Sequence, residues 1–357
     1  MKSLLLACPK AFHQTMAEVS QSSLVRARNG SRDLCTVERD TIKQMLSRLA
    51  EPCFPRPIRT VARRCALLLL PFCPILLAQD FEELRIDRIA VGHRYTEGPV
   101  WSPEGNLLFT DVPENMIWLW KPGQRPAVLE RDSNGAGALA YDAQGRLYIC
   151  EWHGRKVVRL DKKGKREVLA ERFEGKRLNS PNDLAIRRDG HVWFTDPAFG
   201  AASDTRELDF YGVFHISPKG ELDVAAKWRT RPNGIAVSPN GHILYVTNAD
   251  ERKLYAFDID KNGAASNQRV VISDLEGVPG GLRADEKGNL YIAARHLLIY
   301  TSAGKLIRRV ELPEPASNCT FGEADLESLF VTSRGQVYRV RVPVKGVLLY
   351  PPVPPSN

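Results

Sequence analysis

Six times along the chain one short phrase returns: a polar residue opening an apolar strand, a Gly-containing turn, then a second apolar strand. The copies are EGPVWSPEGNLLFTD from Glu97, GALAYDAQGRLYICE from Gly137, PNDLAIRRDGHVWFTD from Pro181, PNGIAVSPNGHILYVTN from Pro232, PGGLRADEKGNLYIAA from Pro279 and NCTFGEADLESLFVTS from Asn318. Their turn positions, Gly105, Gly145, Gly190, Gly241, Gly288 and Glu327, are 40, 45, 51, 47 and 39 residues apart. A strand-built repeat of this length cannot bury its faces alone and must stack on its neighbours, which predicts propeller blades. Third strands follow at MIWLW (116–120), KVVRL (156–160), GVFHI (212–216), KLYAFDI (253–259), LLIYT (297–301) and QVYRVRV (336–342). Fourth strands are expected at PAVLE (126–130), REVLA (166–170), LDVAAKW (222–228), NQRVVI (267–272) and IRRVEL (307–312). The expectation is an all-β, six-bladed β-propeller with a central channel over residues 80–347. FEELRIDRIA (81–90) is expected to complete the last blade and close the ring, and the Pro-rich tail from Leu348 to be flexible.

The formal charge of +8 suggests a polyanion partner until it is divided along the chain. Residues 1–79 hold twelve Lys or Arg against five Asp or Glu, so about +1 remains for the propeller, and nucleic-acid binding by the folded part is excluded. Within that basic segment, Arg63 and Arg64 precede an apolar run from Cys65 to Ala78, too short to span a bilayer but suited to a secretory signal. Residues 61–79 are therefore expected to be a signal peptide cleaved near Ala78, giving a secreted or periplasmic protein. The mixed polar stretch 1–60 reads as a spurious or disordered extension, with translation starting near Val61. Of seven cysteines only Cys150 and Cys319 fall in the propeller, in non-adjacent blades, and both are expected to be buried free thiols.

The chemistry follows from the repeat. Eight places before each turn stand Glu97, Gly137, Asn182, Asn233 and Gly280, with Asn318 nine before Glu327. In a propeller the first strand of each blade lines the channel, so these positions form a ring, in which one carboxylate and several amide oxygens suit a hard divalent cation. Turn chemistry alone is the competing explanation for an Asn or Gly before a strand. Six places after each turn come Asp111, Glu151, Asp196, Thr247 and Ala294, with Ser333 their counterpart. The three acids are expected to support the ring from one strand further out, or else to cap turns.

The phrases EGPVW at 97, LNSPND at 178, LDFYGVF at 208, RPNGIAVSP at 231 and SNCTFG at 317 resemble the senescence marker protein (regucalcin), gluconolactonase and luciferin-regenerating enzyme family, from about Tyr95 to Gly346. The resemblance implies metal-dependent hydrolysis of sugar lactones or related esters. It implies Glu97, Asn182 and Asn233 as metal ligands, with Ca2+ foremost and Mg2+, Mn2+ or Zn2+ as alternatives, and Asn182 and Asn318 at the substrate. The chain departs from the family at Gly280, where the usual phrase places an Asp that is both ligand and candidate base, and at Gly137, where an amide is usual. Restoring the carboxylate by Gly280→Asp is expected to raise metal affinity. His296 and His153 are the candidates for the proton-transfer role. The implied partner is a small-molecule lactone or ester, the expected state a monomer; the alternatives are a binding propeller for a sugar or lactone with little hydrolysis, and an enzyme acting on another ester or phosphoester.

Overall fold

The computed structural model describes residues 84–199 and 205–350. The expected extension 1–60 and signal segment 61–79 lie outside the described residues. Within them the chain forms six four-stranded antiparallel sheets and one small hairpin (Arg172–Phe173 with Lys176–Arg177), with no α-helix. Blade one is Thr96–Trp101, Leu107–Asp111, Met116–Trp120 and Ala127–Arg131; blade two is Ala136–Tyr141, Leu147–Glu151, Lys156–Leu160 and Arg166–Ala170. Blade three comprises Leu184–Ile186, Val192–Asp196, Tyr211–Ile216 and Leu222–Trp228, and blade four Pro232–Val237, Ile243–Asn248, Lys253–Ile259 and Ala265–Ile272. Blade five comprises Leu282–Ala284, Leu290–Ala293, Leu297–Tyr300 and Leu306–Val310. Blade six is Asn318–Gly322, Ser328–Ser333 and Gln336–Arg341, completed by Ile86–Ala90 from the other end of the chain. Each innermost strand touches the next and the sixth touches the first, so the blades close into a ring.

The hairpin turns explain the repeat's spacing. In five blades the turn Gly sits at positive φ (73 to 94°) and donates its N–H three residues back, as Gly105 does to Ser102 O at 3.0 Å. Glycine adopts that left-handed conformation without a Cβ clash. In blade six the left-handed residue is Leu326 (φ 58°), not Glu327, and its N–H bonds Glu323 O at 3.3 Å. Asn318 then falls eight residues before its turn, like its five counterparts. Blade four has the opposite irregularity: its hairpin is one residue longer, so Asn248, not Thr247, pairs where Asp111 does in blade one.

Six apolar clusters fill the six gaps between neighbouring blades. Trp101 of blade one stacks on Phe330 of blade six at 5.3 Å, and Tyr291 of blade five meets Phe321 of blade six edge-on at 5.1 Å. Such offset and T-shaped pairs add to the burial that holds sheet to sheet. Cys150 and Cys319 lie in these clusters as free thiols. The tail differs from its expectation: Leu348, Leu349 and Tyr350 are packed, because Tyr350 is buried, donates its hydroxyl to Trp101 O and meets Tyr141 edge-on. Leu349 O also accepts Arg188 Nη1 at 3.1 Å. These residues cross the turn-side end of the channel, where they line a cavity of about 820 Å³. Residues 351–357 lie outside the described set.

Closure rests on Ile86–Ala90 pairing with Gln336–Arg341, reinforced by Arg339 on Asp87 at 2.7 Å. A chain beginning at Gly92 loses that strand and bares an edge of blade six. Its Tm is expected to fall by roughly 10 °C, the shift that about 3 kcal/mol produces in a domain of this size, measured by differential scanning calorimetry.

Candidate functional site

The ring residues open the innermost strands, at the channel end opposite the hairpin turns, and backbone carbonyls hold them in place. Thr110 Oγ1 donates to Gly137 O (2.9 Å), Thr195 Oγ1 to Asn233 O (2.5 Å) and Thr247 Oγ1 to Gly280 O (2.9 Å), each bond crossing to the next blade. Ala138 N–H reaches Asn182 O (3.1 Å), Gly281 N–H reaches Ser317 O (2.8 Å), and Ser317 Oγ reaches Thr96 O (2.8 Å). All six joints are bridged at the level of the ring.

Glu97 is buried, and its Oε2 accepts the Gly98 N–H at 2.9 Å and Asn318 Nδ2 at 3.1 Å. Burial pushes its carboxyl up to about 7, with Gly98 and Asn318 pulling back and the nearby Asp183 charge pushing further. Asn233 gives Nδ2 to Pro279 O at 2.8 Å, which leaves its Oδ1 without a protein donor. The Asn182 backbone N–H donates to Thr195 O at 2.8 Å, but its side-chain amide makes no hydrogen bond among the described residues, nor does Glu97 Oε1. One carboxylate oxygen and two amide oxygens are therefore left for a ligand, a donor set that fits one hard divalent cation with waters completing its shell. Asn318, expected at the substrate, is engaged instead: Oδ1 accepts Cys319 N–H at 2.8 Å, and Nδ2 serves Glu97 beside Asp183. It positions Glu97.

The two glycines of the ring are places that a neighbour has filled. A β-carbon on Gly280 would overlap Ser317 O of blade six. An Asp cannot be seated there without displacing that blade, so Gly280→Asp would unsettle the joint instead of completing the ring. A β-carbon on Gly137 would overlap the Trp152 indole nitrogen.

Asp111, Glu151 and Asp196 make no bond to a ring amide. Asp111 accepts the N–H groups of Arg94 (2.9 Å) and Tyr95 (3.1 Å), and Asp196 those of Asn179 (2.8 Å) and Ser180 (2.7 Å). Each carboxylate thus clamps the loop that delivers Glu97 or Asn182 to the ring, the turn-capping alternative anticipated from the sequence. Glu151 pairs with Arg166 and Lys156. Neither histidine bonds a ring residue: His296 Nε2 lies 3.6 Å from Glu276 Oε1, and exposed His153 covers Gly135.

Sequence reasoning missed two charged groups. Asp183, buried beside Asn182, accepts Leu184 N–H (2.9 Å) and Ile235 N–H (3.2 Å), and Arg283 Nη1 lies 3.8 Å from its Oδ2. Desolvation raises the Asp183 carboxyl and the Arg283 charge opposes that rise. Arg283 points inward where the other blades carry Val100, Ala140, Ala185, Ala236 and Thr320, as their strand pairings show. One guanidinium among five small uncharged residues was a signal available in the aligned repeats.

The six sheets closed in a ring define a six-bladed β-propeller. The chain belongs to the SMP-30/gluconolactonase/LRE-like family, whose model matches residues 95–335. It is 31% identical over 293 residues to a gluconolactonase of Zymomonas mobilis, covering 73% of this chain and 82% of that protein. A solved gluconolactonase of Xanthomonas campestris superposes with a TM-score of 0.70 at 31% identity, covering 75% of this chain and 93% of that one. A calcium-binding protein, regucalcin, of Agrobacterium tumefaciens shares the fold at a TM-score of 0.62 and 20% identity, over 74% and 98% of the two chains.

Asp196→Ala leaves two buried N–H groups unpaired and is expected to cost about 2–4 kcal/mol in urea unfolding. Burial holds the Asp196 carboxyl up to about 7. Between about pH 4 and 7 the native carboxyl therefore keeps a proton that the unfolded chain has released, so this group's stabilising contribution declines as pH rises through that window. Asp196→Asn is expected to flatten that part of the stability profile.

Proposed function

We propose that this protein is a lactonase-type hydrolase of the gluconolactonase kind, opening aldonolactones or related esters with the help of one divalent cation. The family, and 31% identity across most of a gluconolactonase, support the reaction class. The observation that carries the reading is that Glu97 Oε1 and the side-chain oxygens of Asn182 and Asn233, at equivalent positions of blades one, three and four, take up no donor among the described residues. Those three side chains would hold the cation; Ca2+ is favoured because carboxylate and amide oxygens are its preferred donors, with Mg2+, Mn2+ or Zn2+ as alternatives. Bound there, it supplies electrophilic polarisation of the lactone carbonyl.

The chain's own groups supply orientation and desolvation. Asn318 and the Gly98 N–H pin one oxygen of Glu97, so the other is fixed toward the ligand. The Asp196 and Asp111 clamps fix the loops that carry Asn182 and Glu97, and a site held this firmly loses little entropy on binding. Arg283 beneath the ring offsets the buried Asp183 carboxylate, so the mouth itself keeps Glu97 as the charge available to a cation.

Protein comprising residues 79–357 is expected to hydrolyse D-glucono-1,5-lactone with Ca2+ supplied, and to lose turnover in excess EDTA. Glu97→Gln is expected to lower kcat/KM by about a hundredfold or more, the several kcal/mol that such a cation contributes. A pH-stat assay across the four metals checks this. Binding without turnover in every metal would identify the binding propeller instead.

A further inference from the structure

We propose that Trp152 is a ligand-binding residue of the channel mouth, standing in for the side chain that blade two lacks at the ring and giving its indole N–H and ring face to a polyhydroxylated cyclic ligand. The inference rests on the lactone reading and names a specificity residue within that site.

The geometry begins at Gly137. A β-carbon there would meet Trp152 Nε1, Cδ1 and Cε2 in that order, so the indole's polar edge occupies the space of a ring side chain. Its backbone is pinned, with Trp152 N–H on Gly135 O at 2.9 Å and Ser180 Oγ on Trp152 O at 3.4 Å. Ser180 is itself held by Asp196, so the loops carrying Trp152 and Asn182 are tied together. The backbone that carries the indole is thus held at the mouth.

The second observation concerns hydrogen bonding. Trp152 Nε1 is buried and has no hydrogen-bond partner among the described residues. A buried donor left unpaired costs free energy that a ligand oxygen would recover, and this donor stands at the Gly137 position of the ring, in the blade next to the one that carries Asn182. Trp118 Nε1 is also unpartnered, but it lies on a third strand against the His93 ring, away from the ring positions. Arg155 Nη2, Arg206 Nε and His296 Nδ1 are unpartnered as well, but Trp152 is the one whose donor fills the side-chain space of a ring position, that of Gly137.

The third is the wall beyond it. Phe199 lies 6.4 Å from the Trp152 ring, tilted by 36°, and the Arg231 guanidinium covers Phe199 at 4.8 Å while both its ends grip Asp250. Asn233 follows Arg231 by two residues, so this aromatic wall runs from blade two to blade four along the mouth. Apolar faces with a few fixed donors are what a compact ring of C–H and hydroxyl groups requires. A sugar lactone presents an acceptor oxygen for the indole N–H and C–H groups for its face.

The test uses Trp152→Phe, which keeps the face and removes the donor, Trp152→Ala, which removes both, and Gly137→Ala, which pushes the indole aside. Turnover of D-glucono-1,5-lactone and calorimetric binding of gluconate are measured for each with Ca2+ present. The expected result is a roughly tenfold rise in KM and in gluconate Kd for Trp152→Phe, the loss of one hydrogen bond, with a larger rise for Trp152→Ala. Gly137→Ala is expected to resemble Trp152→Phe, and all three losses to appear in KM more than in kcat. If wild type turns over or binds these ligands and the Trp152 variants do so with unchanged KM and Kd, the role of Trp152 is overturned while the lactonase reading stands. If wild type neither turns over nor binds them, both fall.

Discussion

The hydrogen bonds that cross from blade to blade at the ring carbonyls are the constraint on which everything at the channel mouth depends. Hydrophobic packing between sheets holds the blades together, but it is non-directional and leaves their relative height free to slide. The Thr110, Thr195 and Thr247 hydroxyls, with the N–H groups of Ala138 and Gly281 and the hydroxyl of Ser317, remove that freedom. Side chains distant in sequence are thereby brought to one level. Glu97 and Asn318, 221 residues apart, share a hydrogen bond because their backbones were placed first.

Such close approach demands small residues, which changes the meaning of the site's glycines. Gly98, Gly234 and Gly281 each face the backbone or side chain of the next blade so closely that no β-carbon fits. The EG, NG and GG pairs of the repeat join a ring residue to the glycine that lets the neighbouring blade reach it. Gly280 obeys the same rule against Ser317 O. What the sequence presents as a missing ligand is, in the folded chain, a point of contact.

Much of the architecture was legible because its signals are local. Alternating apolar strands, and glycine where a left-handed turn needs one, located the twenty-four blade strands to within a few residues, including the N-terminal strand that closes blade six. The ring followed from arithmetic on those turns, and it slipped only where Leu326 takes the left-handed place without being glycine, or where blade four carries one extra residue. Less could be read of what acts across blades. A threonine recurs in FTD, FTD, VTN and VTS of blades one, three, four and six, yet the purpose of the first three appears only when the carbonyl of the next blade is in view. Asp183 and Trp152 each adjoin a residue singled out from the repeat, but Asp183 meets Ile235 and Arg283 of other blades and Trp152 folds back onto Gly137 of its own, contacts that no local pattern announces. Asp111 and Asp196 were found by position, but their hydrogen bonds go to the backbone N–H groups of the entry loops and not to the side-chain amides of the ring.

The two thiols of the propeller have a consequence for the compartment in which it works. Cys150 and Cys319 are wholly buried in separate interblade clusters, and desolvation raises both, Cys319 to about 12. Disulfide exchange and oxidation proceed through the thiolate, and burial works against forming it at either residue. The ring is therefore held closed by strand pairing and packing, with no disulfide among the described residues, and its two thiols are shielded from solvent while the fold is intact.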